Sequence, residues 1–396
     1  MITISEALNI INRETRPLPA EAVDIGKSVG RVLAEDIVAD MDMPPFDRAQ
    51  MDGYAVRASD IENAPVSLKI VGESAAGRGW HNEMKTGEAV RIMTGAPVPA
   101  GADAVQKVEL TSEDNGTVKI EKSVSVGQSI VARGDEIGKG ETIFSAGTII
   151  TENMIASLAA FGYAKVSASK RPRVTILPTG TEIVEVDEKP GSDQIRNSNA
   201  VMLKAFADRY GVASTLPIAR DDIEDLKAKI STAVSESDIL VITGGVSVGK
   251  YDLTKAALRD LGAEIFFERL QLKPGKPAVF ARLDDTLVFG LPGNPVSTAV
   301  TFYLFVQKAM LLMQGAAQSD LTPGYAVLTR SGKGAKDRDS YLPATLKTGN
   351  GGRVFAEPLK WGGSSDFVGF ARAEALIIVP SGKIFDEGDV VEIVFL

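Results

Sequence analysis

The chain has 396 residues, 44% of them hydrophobic and 24% charged. That balance is ordinary for a globular protein, and the length is too great for one core. A formal net charge of -9 argues against nucleic acid as the main partner, because neutralising phosphates needs a basic face. The absence of cysteine and the presence of one histidine, His81, exclude disulfides, thiolate metal sites and cysteine nucleophiles, and argue against a Ser-His dyad or a multi-histidine zinc site. Chemistry falls to carboxylates, lysines, arginines, hydroxyls and backbone amides.

The start, "MITISEALNI", lacks the charged region and apolar core of a signal peptide, so a cytoplasmic protein is expected. "SEALNIINRE" opens an amphipathic helix, and "AVDIGKSVGRVLAEDIVA" mixes a short strand with a helical turn. Over 43–137 short β segments alternate with Gly and Pro ("SLKIVGES", "EAVRIMTG", "DAVQKVEL", "GTVKIEK", "QSIVARG"), which predicts a small β-rich domain. Next, "GKGETIFSAGTIITENMIASLAAFGYAKVSA" predicts a strand, a helix with Thr151 as its N-cap, and another strand. These would pack back on the first segment and make the β-rich domain an insertion. From about 170, apolar strands ("RVTILPTG", "ASTLPIAR", "DILVITGG") alternate with helices, the pattern of a parallel, doubly wound α/β sheet. The most apolar stretch, 296–313, is interrupted by Gln307 and Lys308 and reads as a buried helix rather than a membrane span. The tail from 317 returns to β segments and predicts a small barrel or sandwich.

In such a sheet ligands bind at the carboxyl ends of the strands. Those ends carry "PTGTE" (178–182), "ARDD" (219–222), "TGGVSVGKYD" (243–252) and "GLPGNP" (290–295). In the third, Gly244, Gly249 and Lys250 fit the phosphate-loop spacing, but Tyr251 stands where a small hydroxyl should hold Mg²⁺. The loop therefore reads as an anion cradle without the nucleotide-hydrolysis apparatus, against the plainer reading of a tight turn with Asp252 as N-cap. "LKPGKP" sets Lys273 and Lys276 around a Pro-Gly turn, as an oxyanion clamp or a solvated turn. "GLPGNPVS" bends rigidly before a helix. "FDRAQMDGYAVR" offers Asp47, Asp52 and Arg57, although Asp-Gly is ordinarily a hairpin turn. "RIMTGAPVP" and "ARGDEI" carry the same ambiguity, and His81 reads as a surface residue.

Together "FDRAQMDGYAVR", "RIMTGAPVP", "PTGTE", "GGVSVGKYD", "KPGKP" and "GLPGNPVS" resemble, in order and approximate spacing, the molybdopterin molybdenumtransferases, a family that includes bacterial MoeA and the C-terminal domain of gephyrin. The resemblance runs over nearly the whole chain. It implies an α/β multidomain fold: a doubly wound, molybdopterin-binding α/β domain over 170–316, similar to the molybdopterin adenylyltransferases; a β-rich inserted domain over 43–137; a split α+β linking domain from 1–42 and 138–169; and a C-terminal β barrel over 317–396. It also implies an elongated homodimer with the site at the subunit interface, transient contact with a molybdopterin adenylyltransferase and with cofactor-accepting proteins, and no nucleic-acid or membrane partner. The implied reaction takes adenylylated molybdopterin, inserts molybdate into the dithiolene and releases AMP, with Mg²⁺ promoting the step.

Carried over by motif, the implied catalytic residues are Asp52, Thr94, Glu182, Asp252, Lys273 and Lys276. Substrate binding would fall to Gly244, Gly245, Ser247, Gly249, Asp221 or Asp222, Pro292, Gly293 and Pro295, with Ser364 or Ser365 from the C-terminal region. Asp252 and Asp52 would hold Mg²⁺, joined by Asp135 and Glu136 of "RGDEI", where the family usually reads Arg-Gly-Glu-Asp-Ile. The alternatives are a molybdopterin adenylyltransferase, which would share only the α/β domain, and a non-catalytic scaffold with the same fold.

Overall fold

The computed structural model describes residues 1–245, 253–360 and 363–396. The chain divides into two compact units, one of Met1–Glu35, Ala146–Ile155 and Lys165–Leu396, the other of Asp36–Ser145 and Ala156–Ala164.

In the first unit a six-stranded sheet runs in the order Val212–Thr215, Arg173–Pro178, Ile239–Thr243, Thr286–Leu291, Pro277–Leu283, Glu264–Arg269. Its strands are almost wholly apolar because both faces are covered. Val174, Ile176, Ile239, Val241, Leu287 and Phe289 point to one face, where they pack with the helices Ile4–Glu14, Ser198–Ala207 and Pro295–Thr301. Leu177, Leu240, Ile242 and Val288 point to the other, against Leu226 and Ile230 of Ile223–Glu236 and Ala257 and Leu258 of Leu253–Asp260. The sheet departs from the all-parallel expectation at Pro277–Leu283, which pairs antiparallel with both neighbours. The reason is local. Only Asp284 and Asp285 separate two apolar runs, too few residues for a crossover, so the chain turns back as a hairpin with Asp284 at φ 53°.

The N-terminal helix starts with a capping box: Thr3 accepts from the Glu6 N–H while the Glu6 side chain bonds the Thr3 N–H. The apolar stretch Pro295–Met313 has the length and hydropathy of a membrane span, but 89% of its most apolar window is buried inside the protein. It belongs to the core. Strand Ala20–Asp24 pairs antiparallel with Lys165–Ser169, so segments far apart in sequence close on each other. The C-terminal region forms the expected closed barrel: Asp339–Thr348, Val354–Pro358, Pro323–Leu328, Val390–Phe395 and Ala375–Val379, which pairs again with Asp339–Thr348. Small residues (Ala326, Ala344, Ala356, Ala375) alternate with Leu328, Ile377 and Ile393 in its interior, the mixture a narrow barrel can hold.

The second unit is β-rich, as the sequence predicts. Its sheet runs Ala104–Lys107, Gly53–Val56, Glu88–Ile92, Val66–Ser74, Thr117–Ile120, Thr111–Asp114. Two clusters flank it, one around Tyr54, Val56, Leu68 and Val118, the other around Ala55, Val90, Ile92 and Val105.

Candidate functional site

In the first unit, all four of the loops singled out in the sequence are bound together at the carboxyl ends of adjacent parallel strands. Thr179 N–H donates to Thr243 O at 3.0 Å, Gly180 N–H to Ala219 O at 3.1 Å, and Gly244 N–H to Leu291 O at 3.2 Å. Gly244 and Gly245 lie at φ +98° and +64°, and a Cβ on Gly244 would sit 2.6 Å from the Thr179 carbonyl oxygen. These glycines are therefore required twice, by backbone conformation and by close approach. Asn199 ties the ring further, its Nδ2 donating to Thr243 Oγ1 at 3.0 Å and to Gly293 O at 2.7 Å. Ser247, Gly249, Lys250, Tyr251 and Asp252 lie outside the described residues.

"GLPGNP" ends in Pro295 at the first turn of its helix, with Asn294 as the N-cap residue. Asn294 makes no cap with its side chain; its Nδ2 donates instead to Ser364 Oγ at 2.8 Å, while Val296 N–H donates to Ser364 O at 3.1 Å. The Thr298 hydroxyl holds the turn through the carbonyls of Pro292 and Asn294. Ser364 is thus fastened to this loop, whereas Ser365 is exposed and its carbonyl accepts from Phe367 N–H at 3.0 Å.

The two aspartates of "ARDD" separate cleanly. Asp222 is the N-cap of Ile223–Glu236 and accepts from Glu224 and Asp225 N–H at 3.1 and 2.8 Å. Asp221 instead accepts from Thr181 Oγ1 at 3.0 Å, linking its loop to "PTGTE". Glu182 is exposed on that same loop, and its carboxylate lies where a Cβ on Gly180 would fall.

Lys273 is exposed and Lys276 half-buried. Gly275 between them has φ +120°, and a Cβ there would lie 2.7 Å from Thr301 Cγ2. The short strand Leu272–Lys273 pairs in parallel with Asp339 and Ser340, which brings Arg338 beside the lysines. Some desolvation pushes the Asp337 carboxyl up, but the Arg338 hydrogen bond and charge, with Lys276 nearby, leave it below its ordinary value. The Arg338 guanidinium is paired with Asp337 at 3.2 Å, and Lys276 lies near enough to Asp337 to act on its charge. Arg338 escapes a reading of the sequence because it sits in an unremarkable charged run, "KGAKDRDS", and only strand pairing makes it a neighbour.

In the second unit "MDGYA" is not a hairpin turn. Gly53 begins a central strand paired on both sides, and a Cβ there would fall on the Gln106 carbonyl oxygen. The strand presents Asp52 at its start, where Oδ1 accepts from Thr94 N–H and Thr94 Oγ1, both at 2.7 Å. These bonds, the backbone one first, hold the Asp52 carboxyl below the usual carboxylate range. Asp47 anchors the "ARGDEI" loop by accepting from Arg133 N–H at 2.8 Å. Glu136 pairs with Arg48 at 3.2 Å, Asp135 is exposed, and Arg57 donates to Thr86. His81 is exposed. Among the described residues no three acidic or histidine side chains gather as a metal cage, so Asp52, Asp135 and Glu136 do not form one by themselves.

Three family profiles match the chain: the MoeA N-terminal region (domain I and II) over residues 2–162, a probable molybdopterin binding domain over 175–312, and the MoeA C-terminal region (domain IV) over 325–396. A molybdopterin molybdenumtransferase of Staphylococcus aureus (strain COL) is 33% identical over 99% of this chain and 95% of its own length. Its counterpart in Staphylococcus epidermidis (strain ATCC 12228 / FDA PCI 1200) is 32% identical over the same shares. Among solved structures, the molybdopterin biosynthesis MoeA protein of Pyrococcus horikoshii OT3 is 30% identical, with a TM-score of 0.87 over 100% of both chains. With this likeness extending from end to end, through all three profiles and the loops above, the chain belongs to the molybdopterin molybdenumtransferase (MoeA) family.

Proposed function

We propose that the protein works in molybdenum cofactor biosynthesis, inserting molybdate into adenylylated molybdopterin and releasing AMP to give molybdenum-bound molybdopterin. One observation carries this reading: loops rich in glycine and proline are locked together over the carboxyl ends of parallel strands, in a chain similar to molybdopterin molybdenumtransferases over 99% of its length. The positive-φ turn at Gly244 and Gly245, with no Cβ in the way, would let the backbone approach a phosphate of the substrate closely. Lys273, Lys276 and Arg338 would offset the charge of molybdate and of the phosphoanhydride that breaks. The thiolate ligands of molybdenum come from the substrate, which suits a chain without cysteine.

Mg²⁺ fits these residues as a partner of the substrate's phosphates, because it needs only one or two protein carboxylates. Asp252 would supply one, and Asp52, with Oδ2 unpartnered among the described residues, another; when bound, the ion supplies charge neutralisation at the scissile anhydride. Asp135, exposed, and Glu136, paired with Arg48, stand as further candidates. We also infer a homodimer in which Asp52 of the partner subunit completes the site, a cytoplasmic location, and transient encounters with a molybdopterin adenylyltransferase and with apoproteins that accept the cofactor. The test is to mix the protein with adenylylated molybdopterin and Mg²⁺, with and without molybdate, and follow AMP by chromatography. AMP release should require molybdate and fall roughly 100-fold or more in Lys273→Ala; substrate bound tightly but never cleaved would instead mark a scaffold.

A further inference from the structure

Asp52 stands just before the strand Gly53–Val56, and Thr94 just after its antiparallel neighbour Glu88–Ile92, so the register of this pair sets how the two residues meet. Directly opposite each other in that register are Tyr54 and Arg91. Both bond one carboxylate. The Tyr54 hydroxyl donates to Glu113 Oε2 at 2.5 Å, and Arg91 Nη2 donates to both Glu113 oxygens at 2.5 Å. Arg91 Nη1 reaches the other way, to Glu73 Oε2 at 3.3 Å on the next strand, Val66–Ser74.

Glu113 comes from the far edge of the sheet. Its strand, Thr111–Asp114, is sixth in hydrogen-bonding order, whereas Gly53–Val56 is second. Only the turn Val108–Leu110 separates Thr111–Asp114 from the first strand, Ala104–Lys107, so the sheet curls until its edges meet. Among the described residues no strand ladder crosses that seam; the Glu113 side chain bridges it. The same segment holds Asp52 directly, since Val108 N–H donates to the Asp52 carbonyl at 3.0 Å. The Tyr54 ring is buried with Val56, Leu68 and Val118, a role phenylalanine would fill; its hydroxyl serves Glu113. The Arg91–Glu113 pair, with side chains 34% and 38% exposed, adds little stability. What it adds is one fixed arrangement of strands.

We propose that Tyr54, Arg91 and Glu113 are positioning residues for molybdate insertion: by pinning the strand that begins at Gly53 to the segment 108–113, they hold Asp52 against Thr94 with its second carboxylate oxygen presented outward. The inference rests on the proposed function, in which that oxygen serves the Mg²⁺ and phosphates of the substrate. None of the three touches the reacting atoms. They act through Asp52, whose carbonyl, side chain and strand are each fastened by a different neighbour.

Tyr54→Phe keeps the ring and removes only the hydroxyl. It should lower kcat for molybdate-dependent AMP release about tenfold with KM unchanged. It should also speed amide exchange at Thr94, whose N–H bonds Asp52, as read by hydrogen-exchange mass spectrometry without substrate. Glu113→Ala should match it, the double variant should be no slower than either single one, and Glu113→Gln, which still accepts from the hydroxyl, should recover most of the rate. Circular dichroism melts confirm folding, and the Glu113 variants decide the matter if Tyr54→Phe does not fold. A network that only stabilises the sheet would lower the melting temperature while leaving kcat and Thr94 exchange of the folded variants unchanged, and that result overturns the proposal. The two readings separate cleanly. A wild type that releases no AMP, with Thr94 exchange still faster in Tyr54→Phe, sinks the proposed reaction alone; a wild type that releases AMP at a kcat the variants do not change sinks the positioning role alone.

Discussion

Asp52 illustrates how a single carboxylate is held ready by one neighbour. Thr94 gives it both an N–H and an O–H, and this lowers its native pKa below the ordinary 3.8. The stabilisation is complete above that ordinary value and is lost as pH falls through the lower native one. Thr94→Val removes only the hydroxyl, so the Asp52 pKa should rise toward 3.8 while the backbone bond keeps part of the shift, as a carbon-detected NMR titration can show. Gly53 acts through space rather than conformation. In Gly53→Ala the new methyl meets the Gln106 carbonyl inside a strand paired on both sides, so the change should cost about 1–3 kcal/mol in urea unfolding. The sequence offered Asp-Gly as a turn, and nothing in five letters could tell that the glycine instead admits a neighbouring strand.

Among the elements, the doubly wound sheet was legible because its signal is local: apolar runs of strand length alternate with amphipathic helices. The single antiparallel strand was legible only in retrospect, from the two-residue gap at Asp284 and Asp285. "ARDD" shows a different limit. Either aspartate could serve a ligand by composition, and the helix start claims one of them. Asp222→Ala should therefore lower stability by about 1 kcal/mol as a lost N-cap while AMP release persists; a collapse of the rate in the folded variant would return Asp222 to the site. The buried helix at Pro295–Met313 could be told from a membrane span by Gln307 and Lys308, and Lys308 is in fact buried and paired with Asp320.

Across the whole molecule, the chain leaves its first unit after Glu35 and returns to it at Ala146 and again at Lys165. Each unit carries its own buried clusters, so unfolding should not be a single two-state event. Scanning calorimetry should give a calorimetric enthalpy larger than the van't Hoff enthalpy; equality of the two would mean one cooperative core. By itself the sequence determined the α/β and β-rich regions, the β character of the C-terminal tail and the glycine and proline loops, since periodicity and turn chemistry are properties of neighbouring residues. Only the tertiary structure decided that Leu272–Lys273 pairs with Asp339 and Ser340, that Ser364 is fastened to Asn294, and that Asp221 rather than Asp222 faces "PTGTE". Each of these depends on strand pairing or packing between segments remote in sequence, where no local pattern carries the information.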